Sequence, residues 1–236
     1  MKEETFGSIR FRAGNGFPLS TDTVLLSAFA RFSKNARICD LGAGSGALSL
    51  QLFSRDDSLH LTGVEILPQA VQSAEENIAL NDLQAHIQIL QGDLRTIRTL
   101  LPAGSFQGVV SNPPYFPAGS GAVREGEVQA TATSEAGCTM EELFFAADWL
   151  LQWGGKFCLV HRPERLTDLL CTARAHRLEP KRLRMVCHRL GMAPSLALLE
   201  CVKGGKAGLF TEPTLYLYDE SGAMSAQARA IYRKED

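Results

Sequence analysis

Apolar and polar positions along this chain alternate between two rhythms. Residues 36–41 (Ala-Arg-Ile-Cys-Asp-Leu) form a short apolar run ending in glycines; residues 60–66 form a second, rich in Leu, Thr and Val; 86–90 and 108–111 are two more. Runs of this length bounded by turn residues read as strands. Between them, residues 47–53 and 69–81 carry helical spacing, with Pro68 at the start of the second helix and Asn81-Asp82 ending it. Farther on, 140–153 reads as an amphipathic helix closed by Gly154-Gly155, 156–161 as a strand and 163–176 as a helix. Strands separated by helices pair in parallel through right-handed crossovers, because each connection has to travel back along the sheet before the next strand starts. We therefore expect an α/β fold with a doubly wound, mostly parallel sheet.

The pattern changes after residue 180. Residues 183–189 and 196–202 read as two strands joined through Gly191-Met192-Ala193-Pro194 with no helix between them, which predicts a closing antiparallel hairpin. An apolar stretch at 214–218 and a weak helix at 225–232 follow. Ahead of the first core strand we expect a hairpin over 5–12 and a helix over 22–32, capped by Ser20 or Thr21. Residues 119–137 are mostly small and polar, a longer unstructured stretch than a compact domain normally leaves, so the segment is either mobile or a binding loop. At 236 residues the chain suits one domain, with 1–35 as an N-terminal extension, 36–202 as the core and 203–236 as a tail.

Composition narrows the class. Apolar residues are 45% and charged residues 21%, which excludes a disordered or fibrous chain. No apolar run approaches the roughly 20 residues of a membrane span, and Met1-Lys2-Glu3-Glu4 lacks the core of a signal peptide, so we expect a cytoplasmic protein. The cysteines Cys39, Cys138, Cys158, Cys171, Cys187 and Cys201 include no Cys-x-x-Cys pair, and we expect reduced thiols and no metal site. Net charge is -2, yet residues 162–206 hold ten Lys or Arg against four acids. A basic segment on an otherwise acidic chain can steer a polyanion, and Arg162, Arg165, Arg182 and Arg189 are the candidates there. His161 and His188 receive no role.

Three marks fall at the ends of successive strands. Asp40-Leu41-Gly42-Ala43-Gly44-Ser45-Gly46 follows a strand and opens a helix, where glycines let the backbone turn tightly and approach a ligand. Its spacing departs from the dinucleotide fingerprint. Glu65 ends the second strand about 20 residues past Gly42, where an acid can take both hydroxyls of a ribose. Gly92-Asp93 ends the third, where an aspartate can accept from an adenine amine. The sharpest signal is Ser111-Asn112-Pro113-Pro114-Tyr115-Phe116 after the fourth strand. Its prolines extend the chain and remove donors, which leaves the Asn112 side-chain oxygen and the Pro113 carbonyl to accept from one amino group. Tyr115 offers a flat surface for stacking. Such a site suits a conjugated amine held while its nitrogen pyramidalises toward a methyl donor, with positioning in place of a strong base.

These motifs resemble the class I S-adenosylmethionine methyltransferases with an Asn-Pro-Pro-Tyr motif, over almost the whole chain. Within that superfamily the chain looks most like the bacterial N6-adenine methyltransferases that modify valine tRNA beside the anticodon. Residues 16–26 (Gly-Phe-Pro-Leu-Ser-Thr-Asp-Thr-Val-Leu-Leu) are similar to the segment that closes over the cofactor in that family, and the Lys203-Gly204-Gly205 turn and the 213–218 and 222–232 stretches are similar to its tail. The resemblance implies a Rossmann-like fold with a seven-stranded sheet and a C-terminal antiparallel hairpin, S-adenosyl-L-methionine as cofactor, tRNA as partner and no metal. Carried over, Gly42, Gly44 and Gly46 flank the methionine part of the cofactor, Glu65 its ribose and Asp93 its adenine, and Asp40 and Asn112 also belong to the cofactor-binding set. Asn112 and Pro113 hold the target amine, Tyr115 stacks on the base and Phe116 forms another wall. The loop after the motif usually carries an Arg-His-Glu cluster, of which residues 127–135 keep only the acid at the end. We expect a monomeric enzyme. Competing readings are methylation of a protein glutamine amide, methylation of guanine N2 in rRNA, and a non-catalytic RNA-binding protein.

Overall fold

The computed structural model describes residues 3–13, 19–113 and 138–233. A hairpin of β1 (Glu3–Phe6) and β2 (Ile9–Arg12) comes first, then α1 (Thr21–Phe29). The core runs β3 (Arg37–Leu41), α2 (Ala47–Arg55), β4 (His60–Glu65), α3 (Pro68–Leu80), β5 (Ile87–Gln91), a 3-10 turn at Leu94–Thr96, α4 (Ile97–Leu100) and β6 (Phe106–Ser111). It continues with α5 (Met140–Leu150), β7 (Leu151–His161), a 3-10 turn at Pro163–Arg165, α6 (Leu166–Ala175), β8 (Leu178–Cys187) and β9 (Pro194–Lys203). The short strands β10 (Phe210–Thr211) and β11 (Leu215–Tyr216) and the helix α7 (Ala226–Tyr232) finish the chain.

The main sheet is ordered β10-β8-β9-β7-β6-β3-β4-β5, with β11 also pairing β8. From β3 to β7 all pairings are parallel; β9 inserts antiparallel between β7 and β8, the expected hairpin. Seven strands match the expectation, and β10 and β11 add two short pieces parallel to β8. The order matters for the site. The chain builds outward through β4 and β5, then crosses back to lay β6 on the other side of β3. At such a reversal the loops leaving two neighbouring strands diverge, and a crevice opens at their carboxyl ends.

Period-two alternation along the central strands feeds a core on each face. Ile38, Val110, Cys158 and Val160 point to the side covered by α1 and α2, whereas Cys39, Leu41, Val109, Phe157 and Leu159 point to the side covered by α5 and α6. Four of the six cysteines are buried, three of them in these layers, and none forms a disulfide. The N-terminal hairpin is tied to α3 by side-chain amides: Asn77 and Asn81 each accept from and donate to the backbone of β2, at Arg12 and Arg10. Among the described residues no helix is long and apolar enough to cross a membrane.

Three boundaries differ from expectation. The helix expected to run to residue 153 stops at Leu150, because Leu151 already pairs with Phe106 and the strand begins there, bulging before Gly108. The helix expected over 22–32 ends at Phe29. Residues 94–100, expected as loop, coil into a 3-10 turn and α4, where Ile97 is buried in the core and Leu94 and Leu100 pack against it.

Candidate functional site

The crevice is built by the residues that follow β3 and β6. The two strands run in register, Asp40 beside Val110, and the Ser111 hydroxyl donates to the Leu41 carbonyl at 2.7 Å. That bond, fully buried, pins the strands at their last paired positions. Gly42 and Asn112 therefore leave the sheet side by side.

The glycine turn is held from β4, with the N–H groups of Gly42 and Ala43 both donating to the Val64 carbonyl. Gly42, Gly44 and Gly46 have φ of 76°, 55° and 79°, a region open to glycine and costly for side chains with a Cβ. Gly46 caps α2, and a Cβ there would sit 3.3 Å from that of Ala74 on α3. At Gly42 the situation is the opposite: a Cβ would meet nothing within 4 Å among the described residues. The Asn77 amide reaches the same turn, donating to Ser45 O at 3.3 Å while it holds Arg12.

Three carboxylates stand at or just past the carboxyl ends of β3, β4 and β5, each with different partners. Asp40 is 1% exposed; its Oδ2 accepts from the Ser49 hydroxyl at 2.9 Å and its Oδ1 is buried with no hydrogen-bond partner among the described residues. Burial, with a smaller push from the Glu65 charge, raises its carboxyl to about 7. Glu65 bridges two segments, accepting from Gly44 N–H at 2.8 Å through Oε2 and from Leu67 N–H at 2.9 Å through Oε1. One lone pair on each oxygen stays available to a ligand. Asp93 caps the 3-10 turn after β5 and pairs with Arg95 through Oδ2 at 2.6 Å; the Arg95 hydrogen bonds hold its carboxyl below the usual range.

Asn112 faces this group from β6, and its surroundings come from a distant part of the chain. Its Nδ2 lies 3.0 Å from Thr23 Oγ1 and 3.4 Å from Ser20 Oγ, the two hydroxyls being 2.9 Å apart. Ser20, not Thr21, is the cap of α1 and accepts from Thr23 N–H. Ser20, Thr23, Ser49, Ser111 and Asn77 were not identified from sequence as site residues. Ser20 had a signal as a capping residue, but nothing in local spacing links it to a residue 92 positions away. Pro113 is buried beside Asn112. Tyr115 and Phe116 lie outside the described residues, as do the loop at 119–137 and Gly16 to Pro18.

The basic candidates divide. Arg182 is not a surface group: 11% exposed, it lies between Glu200 at 2.7 Å and Glu212 at 2.9 Å, stacks over the Phe29 ring and donates to the Phe29 carbonyl. Its expected role as an RNA contact is corrected by this buried network, because β8 turns the guanidinium toward acids on β9 and the tail. Arg165 is half-committed to Asp168 at 2.7 Å. Arg162 and Arg189 are exposed at the edge where the strands β7 and β8 end, the same edge as Gly42 and Asn112. His161 ends β7 as a neutral ring, since burial lowers it to about 4.

A site of this kind can cradle a nucleoside-bearing ligand on the turn and present an amide oxygen to a second molecule. Residues 20–169 match the model of the methyltransferase small domain family. The chain is similar to the tRNA1(Val) (adenine(37)-N6)-methyltransferase of Pectobacterium carotovorum, 32% identical over 80% of this chain and 78% of the relative. It is also similar to the protein of the same name from Cronobacter sakazakii, 37% identical over 60% of this chain. The chain spans 57% of the length of that relative, and 47% of one from Vibrio vulnificus. In fold it is similar to a crystal structure of a predicted O-methyltransferase from Agrobacterium tumefaciens, with a TM-score of 0.74, 22% identity and coverage of 90% and 96% of the two chains. The glycine turn, the acids at the strand tips and the asparagine beside them lie within or beside the matched span, and the chain belongs to the methyltransferase small domain family.

Proposed function

We propose that the protein transfers a methyl group from S-adenosyl-L-methionine to N6 of an adenine in tRNA, as the name of its relatives states for adenine 37 of tRNA1(Val). The observation that carries the reading is the pinning of Ser111 to Leu41, which sets Asn112 beside the glycine turn at the crevice between β3 and β6.

The residues present fit the cofactor. Among the described residues nothing lies against Gly42, whose φ favours glycine, and Asp40 Oδ1 is a buried acceptor without a partner, suited to an ammonium group. Glu65 would take the ribose hydroxyls and Asp93 the adenine. When bound, S-adenosylmethionine supplies an electrophilic methyl carbon on a positively charged sulfur. Asn112 Oδ1 and the Pro113 carbonyl accept the two protons of the target amine. By doing so they draw the nitrogen lone pair out of conjugation with the ring and aim it at that carbon. The same two oxygens stabilise positive charge on nitrogen as the new C–N bond forms and the S–C pair returns to sulfur. One amine proton then leaves to water. No step needs a strong base.

An adenine in structured RNA has to swing out of its stack to reach Asn112, at a cost of roughly a few kcal/mol that contacts to the RNA backbone must offset. Arg162 and Arg189, exposed at the same edge, are the groups suited to supply them. The test is incubation with labelled S-adenosylmethionine and total RNA or total protein from cells lacking the gene. Label in N6-methyladenosine of tRNA is expected; label in protein alone would replace the reading with glutamine methylation.

A further inference from the structure

An asparagine amide has a donor end and an acceptor end of nearly identical shape, and the reaction proposed above uses only the acceptor. Flipped by half a turn, Asn112 would point N–H groups at an amine, donor against donor. Something has to fix the orientation. The candidates are the groups that touch its side chain: Thr23 Oγ1 at 3.0 Å and Ser20 Oγ at 3.4 Å from Nδ2.

Both hydroxyls are themselves constrained. Ser20 Oγ accepts the Thr23 N–H at 3.2 Å as the cap of α1 and lies 2.9 Å from Thr23 Oγ1. If the Thr23 hydroxyl hydrogen goes to Ser20 Oγ, the lone pairs of Thr23 Oγ1 face Asn112 and welcome a donor. Thr23 is 6% exposed, so water does not compete for it, and α1 is fastened at its far end by Arg182, which donates to the Phe29 carbonyl. We propose that Thr23 engages the donor end of the Asn112 amide, and that Ser20, by accepting the Thr23 hydroxyl hydrogen, turns the Thr23 lone pairs toward it, so that both act as positioning residues that leave Oδ1 facing the acceptor substrate.

This deepens the methyl-transfer reading and rests on it. It also supplies a selection rule: a nitrogen that carries hydrogens satisfies Oδ1, whereas a ring nitrogen such as adenine N1, with a lone pair and no hydrogen, leaves Oδ1 facing another acceptor. The clamp therefore favours exocyclic amines over ring nitrogens.

The test is single-turnover methylation of tRNA with saturating S-adenosylmethionine, comparing the wild type with Thr23→Val, Thr23→Ser and Ser20→Ala. Thr23→Val preserves volume and removes the hydroxyl. It is expected to slow transfer about tenfold, the worth of one hydrogen bond that orients a reacting group, with cofactor affinity within about twofold of wild type. Thr23→Ser restores the rate although it loses a buried methyl group, and Ser20→Ala gives a smaller loss in the same direction. Wild-type rates in both Thr23→Val and Ser20→Ala, or a slowing by Thr23→Ser as large as that of Thr23→Val, overturn the clamp. Should the wild type label protein and not RNA, the tRNA reading falls by itself, and the same variants decide the clamp on the glutamine amide.

Discussion

The hydroxyl of Ser111 donates to the Leu41 carbonyl at 2.7 Å in the middle of the sheet. Its consequence lies one residue farther on each strand, where Gly42 and Asn112 emerge as neighbours across the point at which strand order reverses. The proposed reaction assigns the methyl donor to the side of Gly42 and the acceptor to the side of Asn112.

Gly42 separates conformational strain from steric exclusion. A Cβ there would touch no atom of the described residues, so Gly42→Ala should cost the left-handed conformation, about 1–2 kcal/mol of stability. The methyl group would project into the space assigned to the cofactor. Thermal melts with and without S-adenosylmethionine should show a modest loss of Tm and an abolished ligand-induced rise. A rise equal to that of wild type would mean the cofactor does not lie against Gly42.

Asp40 makes cofactor binding depend on pH. Burial raises its carboxyl to about 7, above the ordinary value, so the fold favours the neutral acid. Its contribution to stability is accordingly full at low pH and fades as pH climbs from the ordinary carboxylate range toward 7. A cationic ligand at Oδ1 reverses the preference and favours the ionised form. Affinity for S-adenosylmethionine, measured by calorimetry, should therefore strengthen between about pH 6 and 8, and Asp40→Asn should flatten the dependence. A wild-type affinity that is constant over that range contradicts the assignment.

Glu65 has a structural duty besides the one assigned to it. Glu65→Ala strands the N–H groups of Gly44 and Leu67, at about 1–3 kcal/mol for each that water cannot reach. Glu65→Gln keeps an acceptor for one of them. Chemical denaturation should rank the variants wild type, Gln, Ala in falling stability, with cofactor affinity reduced in both. Stability unchanged in Glu65→Ala would show that the bridge is not needed to hold the turn.

Arg182 should matter to folding and not to chemistry. Arg182→Met leaves Glu200 and Glu212 together in a half-dry pocket without their shared partner, and removal of one member of a buried ion pair costs about 3–5 kcal/mol. The methylation rate of the fraction that remains folded should match wild type. A stable variant with weakened RNA binding would restore the surface role that its charge suggested.

That residue also shows where reading the sequence stops. Charge counts along 162–206 located a basic segment, but β8 pairs with β9 and the tail returns beside it, and these long-range pairings bring Glu200 and Glu212 to Arg182. The strand-helix alternation was legible because burial on both faces imposes apolar runs, and the reversal between β3 and β6 followed from it. The glycine turn and the Asn112-Pro113 pair were legible because each needs particular residue types at fixed spacing. Thr23 was not: its hydroxyl gains meaning only when α1 folds back onto β6, across 89 residues of chain. The overlong helix at 140–153 has a similar cause, since Leu151 fits either rhythm and only its pairing with Phe106 decides.

The most direct measurement is the single-turnover rate of Asn112→Ala on tRNA at saturating S-adenosylmethionine, read beside the cofactor dissociation constant. If Asn112 holds the amine through its oxygen, the rate falls about 100-fold or more, in the range seen when one preorganised polar group is removed from a reacting centre, and cofactor affinity changes by no more than a few-fold. Methylation of adenine N6 at the wild-type rate by Asn112→Ala would contradict the account at its centre.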